Sequence, residues 1–225
     1  MIAKTLTYII NLRYREQKVK SFFISFYAIG LAGMVIPFTN PLFLHLTPVA
    51  LLLSFLAVML FHESFFDKTT LFVFVSIFIA GYLIELVGVN TGRIFGHYSY
   101  GKGLGPGLWD TPLLIGINWL LLVYLSSGIV SHFKMNTMVS VLVAPGIMLL
   151  YDLLLEQVAP ALDMWHWQND IVPLKNYIAW YVIALVFHLF IRTFKINTTN
   201  RLSFIIFGCH MVFFAGLILF QIILP

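Results

Sequence analysis

The chain of 225 residues is 60% hydrophobic and only 10% charged, whereas a soluble domain is about 45–50% apolar and about 25% charged. A soluble globule of this length could not bury so much apolar surface, and a disordered chain would lack it. The net charge of +4 does not indicate nucleic-acid binding, because Lys and Arg in membrane proteins collect at cytoplasmic helix ends. The single cysteine, Cys209, excludes an intrachain disulfide. The composition therefore indicates a polytopic membrane protein.

Seven apolar stretches are long enough to cross a bilayer as helices, since a crossing takes about 20 residues. They are solidly apolar rather than alternating, which favours helices over a β-barrel. The stretches are 22–38, 41–61, 69–89, 112–130, 137–158, 174–194 and 202–223. We predict an all-α fold, a seven-transmembrane-helix bundle in one membrane domain over 22–225. A basic cytoplasmic or interfacial segment over 1–21 precedes it.

The distribution of Lys and Arg predicts the orientation of the bundle. With the amino end inside, the cytoplasmic segments hold ten of the 13 Lys and Arg residues, and the opposite side holds three. Positive residues favour the cytoplasmic side, so we expect the N-terminus to be cytoplasmic and the loops 90–111 and 159–173 to face outward. A bacterial inner membrane is the expected location. Membrane lipid is then an expected partner, and nucleic acid is not.

Three carboxylates fall inside predicted helices, where ionisable groups are costly and often functional. Glu85 lies in the third helix, and Asp152 and Glu156 lie in the fifth. The helical rise places Glu85 about 24 Å and Asp152 about 22 Å from the inner helix starts, at similar depths in the outer half. Asp152 and Glu156 are four residues apart and share a helix face. These three are the candidate catalytic residues, because a desolvated carboxylic acid can keep its proton and donate it.

Polar and amphipathic residues enter the same layer from neighbouring helices. Asn118 lies roughly 9 Å from the outer end of the fourth helix, and Asn176 and Trp180 enter the sixth helix from outside. In an alternative interpretation, each carboxylate pairs with a loop Arg or Lys, or caps a helix end. Helix rotation decides between the two interpretations, so both stay open at this point.

The histidines are less informative than the carboxylates. The seven histidines show no His-x-x-x-His spacing of the kind that binds metals. His188 and His210 fall at similar depths in the last two helices, which fits interhelical hydrogen bonds better than a haem or metal pair. A retinal protein is excluded, because 202–223 contains no lysine for a Schiff base.

Two separated blocks of sequence carry a family resemblance. The first is Glu85-Leu-Val-Gly-Val-Asn-Thr-Gly, followed by Phe95-Gly-His-Tyr-Ser-Tyr and Leu104-Gly-Pro-Gly-Leu. The second is Tyr151-Asp152-Leu-Leu-Leu-Glu156, followed by Trp165-His-Trp167, Pro173-Leu-Lys-Asn176-Tyr and Trp180. Together they resemble the carotenoid biosynthesis membrane-protein family, which includes carotenoid hydratases that act on γ-carotene and on bacterioruberin precursors. The resemblance covers about half the chain.

The resemblance implies addition of water across the C1–C2 double bond of an acyclic carotenoid end group, without a cofactor or a metal. Protonation at C2 gives a tertiary cation at C1, and this step needs a strong, desolvated acid. We expect Asp152 to deliver the proton, and Glu85 or Glu156 to position and deprotonate the attacking water.

Nine further residues are expected to bind substrate. Among them, the tryptophans offer aromatic faces to the cation, Tyr98 and His97 close the site, and Asn118 provides a polar group beside the cation. The nine residues are Arg93, His97, Tyr98, Asn118, Trp119, Trp165, Trp167, Asn176 and Trp180. A carotenoid substrate is the expected partner, and other enzymes of the carotenoid pathway are further candidates.

Two other functions stay open. A lycopene cyclase-like enzyme also protonates an end group but captures the cation with an internal alkene, so its site should be dry. A non-catalytic carotenoid-binding or transport protein should keep its pigment bound and unchanged after Asp152→Asn. A transporter more often shows broken helices or inverted repeats, and the sequence shows neither.

Overall fold

The computed structural model describes residues 15–64, 66–133 and 135–223, which form helices and four short strands. The helices are α1 (Glu16–Val35), α2 (Asn40–His45), α3 (Thr47–Leu60), α4 (Lys68–Thr91), α5 (Leu114–Ser131), α6 (Thr137–Val158), α7 (Leu174–Thr193) and α8 (Ser203–Ile223). The strands are β1 (Tyr98–Tyr100), β2 (Gly107–Leu108), β3 (Thr111–Pro112) and β4 (Trp165–Trp167). A 3-10 turn over Gln168–Asp170 follows β4.

Six of the described helices, α1 and α4 to α8, are long and apolar enough to cross a membrane. The predicted multi-pass, mainly helical character is therefore confirmed. The predicted seventh span over 41–61 is not confirmed, because this stretch forms α2 and α3 with a break at Leu46. Pro41 and Pro48 occupy the first turns of these two helices, where the missing N–H is tolerated. At 14 residues, α3 is shorter than the usual crossing length.

The start of the chain differs in part from the prediction. α1 begins at Glu16, six residues before the predicted start of the first span. The basic segment predicted over 1–21 lies mostly outside the described residues. The cytoplasmic position of the N-terminus and the single membrane domain stay predictions.

Helix α5 is the centre of the bundle and is buried along almost its whole length. It packs against α3, α4, α6, α7 and α8. Its contact with α4 depends on Gly81, since a Cβ added there would lie 2.7 Å from Cβ of Trp119. Glu85 follows Gly81 by four residues and shares its helix face. The close approach at Gly81 therefore brings the indole of Trp119 to Glu85.

The two long loops, 90–111 and 159–173, pair with each other, which the sequence analysis did not predict. β1 and β4 form an antiparallel ribbon in which Tyr98 lies opposite Trp167, and Tyr100 lies opposite Trp165. Residues two apart on a strand face the same side, so all four aromatic side chains can point toward the helices. β2 and β3 form a second, smaller ribbon.

The close contact between the loops gives a test of the fold. A Cβ added at Gly103 would lie 2.1 Å from the carbonyl oxygen of Leu162, which is backbone and cannot rotate away. We expect Gly103→Ala to lower the free energy of unfolding by about 1–3 kcal/mol, measured as thermal unfolding in detergent. Gly146→Ala is the matched control, because a Cβ there has no atom within 4 Å. Equal melting temperatures for the two variants would contradict the loop packing.

Candidate active site

Glu85 lies inside a cage of three hydrogen-bond donors. The hydroxyl groups of Tyr98 and Tyr100 both donate to Glu85 Oε2 at 2.7 Å. The indole Nε1 of Trp119 donates to Glu85 Oε1 at 2.9 Å. The Glu85 side chain is only 3% exposed. Three donors and no acceptor suit an ionised carboxylate, which can only accept.

Glu156 has a similar set of donors from the other strand of the β1–β4 ribbon. Trp165 Nε1 and Trp167 Nε1 donate to Glu156 Oε2 at 3.0 and 2.7 Å. Asn176 Nδ2 donates to Glu156 Oε1 at 3.0 Å and to Asp152 Oδ2 at 3.2 Å. One amide nitrogen therefore holds the two carboxyl groups of α6 next to each other.

Asp152 has fewer partners than the two glutamates. It is fully buried, and its Oδ1 atom makes no hydrogen bond among the described residues. Within the same residues, none of the three membrane carboxylates forms an ion pair. The interpretation in which each one pairs with a loop Arg or Lys therefore finds no support in the structure.

A small cavity of about 20 Å³ lies between the two glutamates. Glu85, Glu156 and Asn176 border it together with the four aromatic residues of the ribbon. A buried water needs about 10–15 Å³ of such space and two to four polar partners. The cavity therefore has the volume and the partners for about one water molecule.

A larger cavity of about 330 Å³ lies next to the small one. Ile115 and Trp165 border both cavities, so they form the wall between them. Apart from a few side chains, the lining is apolar and comes from α1, α2, α3, α5, α6, α8 and the loop around Met164. Asn118 borders this cavity, whereas Asp152 borders neither of the two. The site thus combines a polar pocket with an adjacent apolar one.

The tyrosines of the cage are held in their protonated form. Burial raises the pKa of the hydroxyl groups of Tyr98 and Tyr100, and the charge of the neighbouring Glu85 raises it further. Both hydroxyl groups therefore stay donors at neutral pH. The electrostatic environment of Glu85 then consists of fixed O–H and N–H dipoles rather than of a basic side chain.

The buried histidines belong to hydrogen bonds between helices. His188 Nε2 lies 2.9 Å from Ser126 Oγ of α5, and His210 Nε2 lies 2.5 Å from the Tyr27 hydroxyl of α1. In the described part of the chain, no group of three or more His, Cys, Asp or Glu side chains is placed to hold a metal ion.

Comparison with known proteins identifies the family of this chain. Residues 46–224 match the model of a family described as carotenoid biosynthesis protein. The chain belongs to this family. The resemblance that the two sequence blocks indicated is therefore confirmed.

A relative of known name is similar to part of the chain. Bisanhydrobacterioruberin hydratase of Haloarcula japonica is 33% identical over 125 residues. The aligned region covers 51% of the present chain and 42% of the relative, so it spans less than half of that protein. No solved structure matches the chain.

The structure of this family member brings most of the predicted site residues together. Those that contact a membrane carboxylate or border one of the two cavities are Tyr98, Asn118, Trp119, Trp165, Trp167, Asn176 and Trp180. Arg93 and His97 are exposed and border neither cavity. Both residues precede β1 in the loop, and these contacts give their predicted role in substrate binding no support.

The sequence analysis missed Tyr100 and the residues of the large cavity. The signal for Tyr100 was present in Tyr98-Ser-Tyr100 and Trp165-His-Trp167, since aromatic residues at alternate positions predict two strands that each present one face. The lining of the large cavity follows from how the helices are rotated, for which an almost uniformly apolar sequence carries little signal.

The raised pKa values of the tyrosines predict how stability depends on pH in this family member. The folded protein holds these two protons more tightly than the unfolded chain, in which a tyrosine has a pKa of about 10. The free energy of unfolding should therefore fall as the pH rises above about 10. We expect the free energy of unfolding of the double variant Tyr98→Phe/Tyr100→Phe to decrease less over this pH range. The measurement is the melting temperature as a function of pH in detergent.

The matched control for this experiment is Tyr181→Phe, which removes a hydroxyl that donates to the carbonyl of Leu142 away from the site. Its alkaline profile should follow that of the unmodified protein. If the double variant also follows that profile, the two site tyrosines do not hold their protons as the structure indicates.

Proposed function

We propose that this protein is a carotenoid hydratase, a carbon–oxygen lyase that acts in the direction of hydration. It adds water across the C1–C2 double bond of an acyclic carotenoid end group such as that of γ-carotene. The observation that carries the proposal is the cavity for one water between Glu85 and Glu156, which shares a wall with an apolar cavity. The family match and the name of the hydratase relative support the same chemistry.

The proton source is the Asp152–Glu156 pair. Two adjacent carboxyl groups in a desolvated site cannot both be ionised without a large cost. Glu156 accepts three N–H donors and suits the anion, whereas Asp152 accepts one and has an oxygen without a partner among the described residues. The proton of the pair therefore resides on Asp152. Since Glu156 borders the small cavity and Asp152 does not, Asp152 first transfers its proton to the carboxylate of Glu156, and Glu156 then donates it to the substrate.

The reaction then balances without a cofactor. The pair transfers a proton to C2, the electrons of the double bond form the new C–H bond, and a tertiary cation is left at C1. In this proposal the side chains of Ile115 and Trp165, which separate the two cavities, move aside when the end group binds. The oxygen of the water in the small cavity then bonds to C1, and Glu85 accepts the proton that this water loses. Substrate and water give one tertiary alcohol, and a later proton transfer returns the carboxyl groups to their starting state.

Aromatic faces near the wall stabilise the intermediate cation. Trp165 borders both cavities and Trp180 borders the small one. Trp119 stacks on Trp180 with ring centroids 4.2 Å apart, so it supports this ring from behind. Indole faces attract positive charge, with a larger effect where water is excluded. The adjacent apolar cavity accommodates the hydrocarbon end group, and the rest of the polyene extends into the bilayer.

The direct test is the mass of the product formed in water labelled with heavy oxygen. The purified protein in lipid nanodiscs is given γ-carotene and, in a separate reaction, lycopene. A product that is heavier by one labelled water is expected. A product of unchanged mass with an altered absorption spectrum would instead indicate a cyclase, and bound but unchanged pigment would indicate a binding protein.

The proposed setting is a bacterial inner membrane with the N-terminus in the cytoplasm, as the distribution of Lys and Arg predicts. The carboxylates then lie in the outer half of the bilayer. Substrate and product are both membrane-soluble, so the other enzymes of the carotenoid pathway are candidate partners. Trypsin accessibility of an N-terminal tag in inverted and right-side-out vesicles tests the orientation.

A further inference from the structure

Two residues that border the large apolar cavity have a buried polar atom without a hydrogen-bond partner. His210 is 3% exposed, and its Nδ1 atom has no partner among the described residues. Within the same part of the chain, Thr47 Oγ1 is likewise buried and without a partner. Both residues border the cavity. A buried polar group without a partner is costly, so a molecule that fills this cavity gains by satisfying these atoms.

The hydrogen bonds of His210 restrict which kind of group can be its partner. The Tyr27 hydroxyl lies 2.8 Å from Ser54 Oγ and 2.5 Å from His210 Nε2. Ser54 Oγ also lies 3.3 Å from His210 Nε2, and 2.9 Å from the carbonyl oxygen of Ala50, which can only accept. Whether one of these two hydroxyl groups donates to Nε2 sets the tautomer of the imidazole.

Both tautomers leave one unpaired atom that a hydroxyl group can satisfy. If Tyr27 or Ser54 donates to His210 Nε2, then Nδ1 carries a hydrogen and needs an acceptor. If neither hydroxyl group donates to Nε2, then Nε2 carries the hydrogen and Nδ1 needs a donor. A hydroxyl group both donates and accepts, so it satisfies His210 in either case.

The cavity also opens toward the lipid. Ile29 of α1 and Leu46, between α2 and α3, both border it, and they are 62% and 40% exposed. In the membrane, this exposed apolar surface faces acyl chains. A ligand that enters here has a long apolar body that remains in the bilayer and a polar group near the end that enters first.

We propose that this cavity binds a carotenoid end group that carries a hydroxyl, and that His210 is the residue that recognises the hydroxyl. The proposal rests on the proposed carotenoid function and adds a specificity-determining residue to it. The hydroxyl is either the one that hydration creates at C1 or one already present elsewhere on the end group.

Binding measurements on three pigments test the proposal. Lycopene, lycopene hydroxylated at C1 and lycopene hydroxylated at C4 are titrated into the protein in nanodiscs, and binding is followed by quenching of tryptophan fluorescence. The unmodified protein should bind one hydroxylated form about tenfold more tightly than lycopene, the order expected for one hydrogen bond to a buried group. Preference for the C1 form identifies the product hydroxyl, and preference for the C4 form identifies a pre-existing one.

Two variants of His210 separate recognition of the ligand from packing. A glutamine places its amide near the position of Nε2, so His210→Gln keeps the contact with Tyr27 and loses Nδ1. An asparagine places its amide near Nδ1, so His210→Asn keeps a hydrogen-bonding group at the position of the unpaired atom. We expect the preference for the hydroxylated pigment to vanish in His210→Gln and to survive in His210→Asn, with lycopene binding unchanged in both.

Equal affinity of the unmodified protein for all three pigments would overturn the proposal, and so would a preference that survives in His210→Gln. Melting temperatures of both variants show whether they fold. The binding readout does not depend on turnover, so failure of the proposed hydration chemistry is distinguishable from failure of this inference.

Discussion

Replacement of Asp152 by asparagine is expected to lower the turnover number for hydration by about 10²–10⁴-fold, the usual contribution of a general acid. Asparagine has nearly the same shape, so the packing of the fully buried site should persist. It has no carboxylic proton to transfer, and the Asp152–Glu156 pair then has only Glu156 to supply one. Turnover is measured from product formation in nanodiscs, and pigment binding is measured separately by absorption.

The matched control is Asp170→Asn, which makes the same chemical change at an exposed carboxylate outside the site. Its turnover should equal that of the unmodified protein. Full turnover in Asp152→Asn with normal pigment binding would show that the proton comes from another group. Loss of pigment binding together with turnover would instead indicate that Asp152 supports the structure of the site.

Replacement of Glu85 by glutamine should reduce turnover by a similar factor of about 10²–10⁴, for a different reason. Glu85 Oε1 and Oε2 together accept three hydrogen bonds. The amide of glutamine replaces one of these acceptors with a donor, which then faces a tyrosine or an indole donor. The variant therefore loses the base that accepts the proton from water and has one unsatisfied contact in the cage.

Glu63→Gln is the control for this variant, since Glu63 pairs with Arg201 at an exposed position. A kinetic isotope effect of heavy water on turnover, measured on the residual activity of Glu85→Gln, reports whether proton removal from water has become slower. If Glu85→Gln keeps turnover within about twofold, Glu85 is not the base and Glu156 is the remaining candidate.

The convergence of the carboxylates could be predicted because it follows from the helical rise. Counting residues from the predicted inner helix ends places Glu85 and Asp152 at similar depths. In the structure, Glu85 borders the small cavity, and Asp152 accepts a hydrogen bond from Asn176, which also borders it. The shared face of Asp152 and Glu156 likewise follows from their spacing of four residues. Helical geometry is regular, so these predictions needed no knowledge of packing.

The donors of the carboxylates could be predicted only in part. The tryptophans and Tyr98 were expected as aromatic surfaces, whereas the structure shows their N–H and O–H groups bound to Glu85 and Glu156. This role depends on the pairing of two loops that lie more than 60 residues apart in the chain. Pairing at such a distance leaves no local pattern in the sequence, although alternating aromatic residues indicate which face each strand presents.

The broken second span shows where composition alone misleads. Residues 41–61 are apolar enough for one helix, but Pro48 lies in their interior. Proline is tolerated in the first turn of a helix and is unfavourable further along, so a new helix begins at Thr47. A sequence interpretation that gave the position of Pro48 more weight than the hydropathy of the stretch would have predicted this break.

The β1–β4 ribbon has a consequence for protein engineering. β1 supplies two of the three donors of Glu85 and β4 supplies two of the three donors of Glu156. The two strands are held in register by their pairing. A hybrid that takes a single outer loop from another family member would combine strands that had not evolved to match. The two loops and the helices that carry the glutamates should therefore be exchanged together when specificity is redesigned.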